Sequence, residues 1–233
     1  MTVLPLEQII AEAKALNRSH DLMLQTVPIR PQWWQRNLRA YGLESIGSRF
    51  TETELSRSDL FRLAPAAQRT TEELLEFVFK VIAWGSGTRP RNNLRRISNI
   101  CASESQEILK EGIRRAAQED WDSFDVFRSS HKNLIPFLGP AFFTKIMYFS
   151  GSGNPTHPLL IVDQRVMRTL KLTEYASRFT RSANYDSDTY AEICNALTEI
   201  SNNVQRQTAQ DCTPDLIELW AFLRNGQPAA KQP

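Results

Sequence analysis

The chain has 233 residues, with 28 Lys and Arg against 26 Asp and Glu, a formal net charge of +2. That length can bury a full core as one large domain or two closely packed lobes, with no need of a disulfide or metal. Cys101, Cys194 and Cys212 lie far apart without histidine partners, so neither a zinc site nor a disulfide framework is indicated, and a reducing cytoplasm fits best. No apolar run reaches the ~18 residues a membrane span needs, and no basic-then-apolar segment opens the chain; a cytoplasmic protein without membrane contact is expected.

Apolar residues recur at helical spacing almost throughout, and alternating β-branched runs are nearly absent. The pattern predicts an all-α fold with a strand count close to zero. Leu6, Ile9, Ile10 and Ala13 form the stripe of a first helix, and Thr53 to Leu63 reads as a short one. Trp33 and Trp34 stand beside Arg30, Arg36 and Arg39, either as core aromatics or as stacking groups for a base, core packing being the ordinary use of tryptophan. Thr71-Glu72-Glu73 opens a strong helix through Leu74, Leu75, Val78 and Ile82, which Gly85-Ser86-Gly87 should stop just after Trp84. Pro90 suits a helix first turn ahead of Asn92 to Ile100. Arg89, Arg91, Arg95 and Arg96 have no acid among them, which suits either phosphate contacts or a solvated helix face.

A helix over about Ser103 to Ala117 carries its acids early and Arg114 and Arg115 late, as the helix dipole favours. Trp121 to Ser130 leads into a tight turn. Asp188 to Gln205 is one amphipathic helix, and Thr213-Pro214-Asp215 opens a last one through Trp220 and Leu223. Residues 1–225 are expected to form a single helical domain, and 226–233 a disordered tail. There is no internal repeat and no low-complexity linker.

Chemistry concentrates between residues 130 and 172. In Leu138-Gly139-Pro140-Ala141 the glycine offers the backbone conformations closed to other residues. The amides opening the helix Phe142 to Phe149 are then free to meet an anion such as a phosphate diester. Asp163 closes the apolar run Leu159-Leu160-Ile161-Val162, where an ionised carboxylate is costly unless it caps the helix Gln164 to Leu170. Each feature alone has an ordinary structural use, the turn as a helix start and the aspartate as its cap.

Taken in order, turn, apolar helix, loop and aspartate resemble the helix-hairpin-helix DNA glycosylases, and most closely the branch that includes the 8-oxoguanine glycosylases. The resemblance is specific over about residues 130–172 and diffuse elsewhere. It implies a helical glycosylase fold of two closely packed lobes. Val162-Asp163 falls at the family's Val-Asp dipeptide, which makes Asp163 the catalytic carboxylate. The family's lysine lies on the first helix of the hairpin motif, and counting back from Gly139 puts Lys132 there. Lys145, 18 residues before the aspartate, is the competing nucleophile. Arg165 replaces a histidine that contacts phosphate, and Gly139 and Ala141 would form the phosphate grip. The stretch from Arg91 to Ile97 resembles an asparagine-rich helix start with a trailing arginine. Asn92, Asn93 and Arg96 would then fill the space left by a flipped base, beside Arg91. The sequence departs from the family at Pro136, which interrupts the first hairpin helix, and in reading Leu-Gly-Pro-Ala where Pro-Gly-Val-Gly is common.

The resemblance implies a monomer acting on double-stranded DNA that contains a modified base. It implies no cofactor and no metal, a monovalent cation at the hairpin being the one exception it admits. The nucleotide would be extruded and the N-glycosidic bond cleaved, either by a monofunctional enzyme or by a bifunctional one that also cuts the strand at the abasic site through a Schiff base. Oxidised guanine is the substrate the branch suggests. Compact bacterial relatives that defend against phage by excising glucosylated hydroxymethylcytosine are an alternative. A non-catalytic helix-hairpin-helix DNA-binding module and a helical protein-interaction domain are rivals of other classes.

Overall fold

The structure, a computed structural model, describes residues 3–178 and 184–227. Among the described residues twelve α-helices carry the fold: α1 (Leu6–Ala13), α2 (Pro31–Ala40), α3 (Glu44–Gly47), α4 (Arg57–Leu63), α5 (Thr71–Ser86), α6 (Asn93–Ile100), α7 (Ser103–Ala117), α8 (Ser123–Phe127), α9 (Pro140–Ser150), α10 (Gln164–Leu170), α11 (Ser187–Thr208) and α12 (Pro214–Arg224). The fold is all-α, as the periodicity predicts.

α5 and α9 form its centre. Every residue of α5 from Leu74 to Trp84 is buried, as is every residue of α9 from Phe143 to Ser150. A helix apolar all round has no solvent face to present, so these two must pack inside, and they pack on each other. Thr70 caps α5 by accepting the Glu73 amide at 3.2 Å, and Gly87 ends it at φ 57°. α7 covers α9 and α8, while α10 and α11 both lie against α12. α1 docks on α11 and α12, with Glu12 accepting the Trp220 indole at 2.9 Å.

Two short antiparallel pairings depart from the expected near-absence of strands. β1 (Thr26–Pro28) pairs with β2 (Glu54–Ser56), Val27 opposite Leu55. β3 (Arg128–Ser129) pairs with β4 (Lys132–Asn133). The helix expected from Thr53 thus begins only at Arg57. Ser56 ends β2 and caps α4 reciprocally, accepting from the Asp59 amide at 3.1 Å while its own amide donates to Asp59 at 2.8 Å.

The expected disordered tail is partly corrected. Gly226 donates its amide to Thr169 Oγ1 at 2.9 Å and Gln227 donates to the Arg224 carbonyl at 3.0 Å. The rest of that tail, from 228, lies outside the described residues. No helix among the described residues is long and apolar enough to cross a membrane.

Candidate active site

The run Leu159–Val162 is buried and belongs to no helix or strand, so its backbone polar groups need other bonds. Side chains supply them. Tyr190 donates to the Leu160 carbonyl at 2.9 Å, Tyr185 to the Val162 carbonyl at 2.7 Å, and the Val162 amide donates to Thr144 Oγ1 at 3.3 Å. The run is thereby bound to α9 on one side and to α11 and the residues before it on the other, and it delivers Asp163 to the start of α10.

Asp163 divides its two oxygens. Oδ1 accepts the Arg165 amide at 2.9 Å and the Val166 amide at 3.3 Å, which caps α10. Oδ2 faces Lys145 Nζ at 3.1 Å. Lys145 projects from α9, is 5% exposed, and also donates to the Ala141 carbonyl at 2.9 Å. Its stem crosses α5 at Gly85, where an added Cβ would stand 3.2 Å from Lys145 Cδ and 3.2 Å from the Phe142 ring. A glycine there is what allows the lysine to lie between the two central helices. Burial pushes the Asp163 carboxyl up, but the Lys145 charge and the two capping amides outweigh it and hold the group below the ordinary carboxylate range. Asp163 is therefore ionised at neutral pH.

A second, sealed pair lies behind it. Arg57 on α4 donates to Glu218 on α12 at 2.7 Å, both side chains at most 1% exposed. The guanidinium lies 5.4 Å from the Trp84 ring and 5.2 Å from Tyr148. Burial pushes the Glu218 carboxyl up and Arg57 only partly offsets this, with Asp163 adding to the rise and Lys145 opposing it.

The two candidate lysines part company. Lys132 is exposed on β4, not on a helix, and among the described residues no ion pair joins it to Asp163. Pro136 stands within the stretch expected to form the first hairpin helix, and residues 134–137 run as bends and turns, so the count back from Gly139 followed a helix that is absent. Lys145 meets the carboxylate.

The hairpin also differs from expectation. Gly139 has φ −84° and ψ 178°, extended backbone open to any residue, and a Cβ there would meet only the Asn133 side chain at 3.4 Å. The left-handed residue is Phe137, at φ 66°. For a bulky L-residue that conformation costs roughly 1–2 kcal/mol. Ala141 and Arg165 are exposed at the two helix starts, Arg165 lying 4.7 Å from the Phe222 ring.

Of the proposed base-filling residues, two are turned inward. Asn93 is fully buried and donates to Ser86 Oγ at 2.9 Å. Arg96 is 8% exposed and donates to the carbonyls of Phe137 and Arg91, both at 2.9 Å, and to Asn93 Oδ1 at 2.6 Å, while its guanidinium sits 3.8 Å from the Phe142 ring. Burial draws it down to about 10. Arg91 and Asn92 remain exposed, Asn92 in the left-handed region at φ 62°. Trp84 packs edge-on against Phe149 and Trp34 stacks on Phe50, so both serve the core. Among the described residues no three His, Cys, Asp or Glu side chains converge as metal ligands would.

Sequence reasoning missed Arg57, Glu218 and the role of Gly85. A lone charge within an apolar stretch of helix, as in Leu216-Ile217-Glu218-Leu219, is the mark that could have found Glu218.

Fold and site together define a helical protein with a buried lysine–carboxylate centre beside an arginine-bearing surface. Over residues 20–222 the sequence matches the OGG family, described as "Putative 8-oxoguanine DNA glycosylase OGG-like protein", and the chain belongs to that family. No curated protein and no solved structure matches the chain.

Proposed function

We propose that the protein is a DNA glycosylase that turns a modified base out of duplex DNA and cleaves its N-glycosidic bond, with Lys145 and Asp163 as its catalytic residues. The observation that carries this reading is the Lys145–Asp163 pair, 3.1 Å apart, buried yet capped on one side only. Unlike a sealed pair that only joins two helices, this one leaves Asp163 14% exposed, and a pure DNA-binding module has no use for an open carboxylate, which repels phosphate.

As the C1′–N bond breaks, its electron pair leaves with the base and positive charge develops on the deoxyribose. Ionised Asp163 stabilises that charge. Lys145 forms the new bond to C1′ only as a neutral amine, so its ammonium proton must first leave by way of water, which keeps Asp163 ionised. The base takes up a proton on departure. Opening of the sugar, as C1′–O4′ breaks and O4′ takes the amine's remaining proton by way of water, then gives a Schiff base between Lys145 and C1′; loss of a C2′ proton to water drives elimination, breaking C3′–O3′ with the 3′ phosphate as leaving group. Oxidised guanine is the substrate the family description supports.

The reading is tested by incubating the protein with duplexes carrying 8-oxoguanine, uracil or glucosylated hydroxymethylcytosine and measuring abasic sites. Base release from one of them, lost in Asp163→Asn, is expected. Borohydride should trap a covalent adduct in the wild type and in Lys132→Gln but not in Lys145→Gln. Release from no duplex, or an Asp163→Asn variant as active as wild type, overturns the reading.

A further inference from the structure

Seven non-glycine residues among those described have positive φ, and six are Asn, Ser, Glu or Ala. The seventh is Phe137. Large side chains rarely hold this conformation unless their surroundings impose it, and such strain gathers where function requires it. The imposition is visible. Arg96, buried and without a carboxylate partner among the described residues, donates to the Phe137 carbonyl, and the Arg95 guanidinium lies 4.9 Å from the Phe137 ring. The result is a phenyl ring 41% exposed at the hairpin, with Leu94 48% exposed on α6 and Leu134 41% exposed beside the turn.

The surroundings of this apolar group are one-signed. Neither Gly87–Ile100 nor Ser130–Val162 contains an acidic residue, and Arg91 and Arg95 make no ion pair among the described residues. An exposed aromatic group ringed by unneutralised arginines suits a polyanion that offers apolar faces between its charges, which is duplex DNA.

We propose that Phe137, braced by Arg95 and Arg96, is the side chain that enters the base stack and fills the gap left by a turned-out nucleotide, with Leu94 against the adjoining base. The inference rests on the glycosylase reading but concerns DNA distortion and not chemistry. It replaces Asn93 and Arg96, whose polar groups are consumed inside the fold. Arg96 acts as a positioning residue, joining the hairpin carbonyl to the Phe142 ring that abuts Gly85.

The test uses the full chain and three probes: a duplex with a central tetrahydrofuran abasic analogue and 2-aminopurine opposite it, the same duplex without the gap, and the gapped strand alone. Wild type should bind the gapped duplex at least about fivefold more tightly than the intact one, the low end of what base–aromatic stacking supplies. The 2-aminopurine emission should change on binding. Phe137→Ala should abolish the preference and the emission change while leaving single-strand binding within about twofold, and Phe137→Trp should retain both. Phe137→Asn, a residue at ease in the left-handed region, should lose the preference yet raise Tm by about 2–4 °C, separating function from folding. A preference that survives Phe137→Ala overturns the proposal. Salt-sensitive DNA binding with no preference in the wild type overturns it too, leaving the glycosylase reading intact, whereas absence of any DNA binding overturns both.

Discussion

Lys145–Asp163 and Arg57–Glu218 are both interior pairs of a cation and a carboxylate, and the shorter of them has the less comfortable acid. At 2.7 Å from Arg57, Glu218 is pushed above the ordinary carboxylate range, while Asp163, 3.1 Å from Lys145, is held below it. Burial opposes ionisation in both, so distance to the cation does not decide the outcome. What differs is the rest of the shell. Asp163 keeps 14% of its side chain exposed and receives two amides from the start of α10. Glu218 is sealed, and its Oε1 has no partner among the described residues. The number of donors sets the direction of the shift, and a helix start supplies donors at no further cost in burial. The open pair is the one suited to chemistry and the sealed one to holding α4 against α12.

The largest effect should come from breaking the open pair. Asp163→Asn is expected to lower base release by about 10²–10³-fold, the scale of losing one well-placed electrostatic stabiliser, with a smaller fall in the urea midpoint than breaking the sealed pair gives. Breaking the sealed pair should do the reverse. Arg57→Met leaves a buried carboxylate without its cation and should cost about 3–5 kcal/mol in urea unfolding, and adding Glu218→Leu should recover most of it. If the double variant is no more stable than the single one, the pair is not the unit described.

A smaller effect separates the two roles within one residue. Gly85→Ala gains about 0.5–1 kcal/mol of helix preference but crowds Lys145 and Phe142 at 3.2 Å. Stability should move by less than about 1 kcal/mol while single-turnover base release falls by about tenfold. The smallest effect is in pH. A carboxyl held low in the folded state contributes stability above its unfolded value of about 3.8 and loses it as pH falls through the folded value. Stability curves of the wild type and Asp163→Asn should therefore converge in acid below that value; curves that stay parallel contradict the assignment.

The helices were legible because their cause is local. α7 runs from Ser103 to Ala117 as its charges and apolar spacing predict. β1 and β2 were not, since each holds three residues and acquires its identity only from Val27 meeting Leu55 across the chain. Asp163 could be read because a carboxylate after an apolar run needs a cap, which is a local demand. The choice between Lys132 and Lys145 could not be made this way. A helix apolar all round leaves no face from which to infer where its lysine points, and Pro136 breaks the helix on which the count to Lys132 relied. Arg57 and Glu218 are 161 positions apart, and nothing near either one names the other.

The tyrosine bonds to Leu160 and Val162 bear on the order in which the molecule folds. α5 and the segments leading to α9 are joined by contacts that a growing chain makes early, but the backbone before Asp163 is held by Tyr185 and Tyr190, one just before α11 and one within it. Until α11 docks, the aspartate is held only by its bonds to α9 and α10. In refolding, helical structure and the environment of Trp84 should recover first, and borohydride-trappable protein should lag behind them.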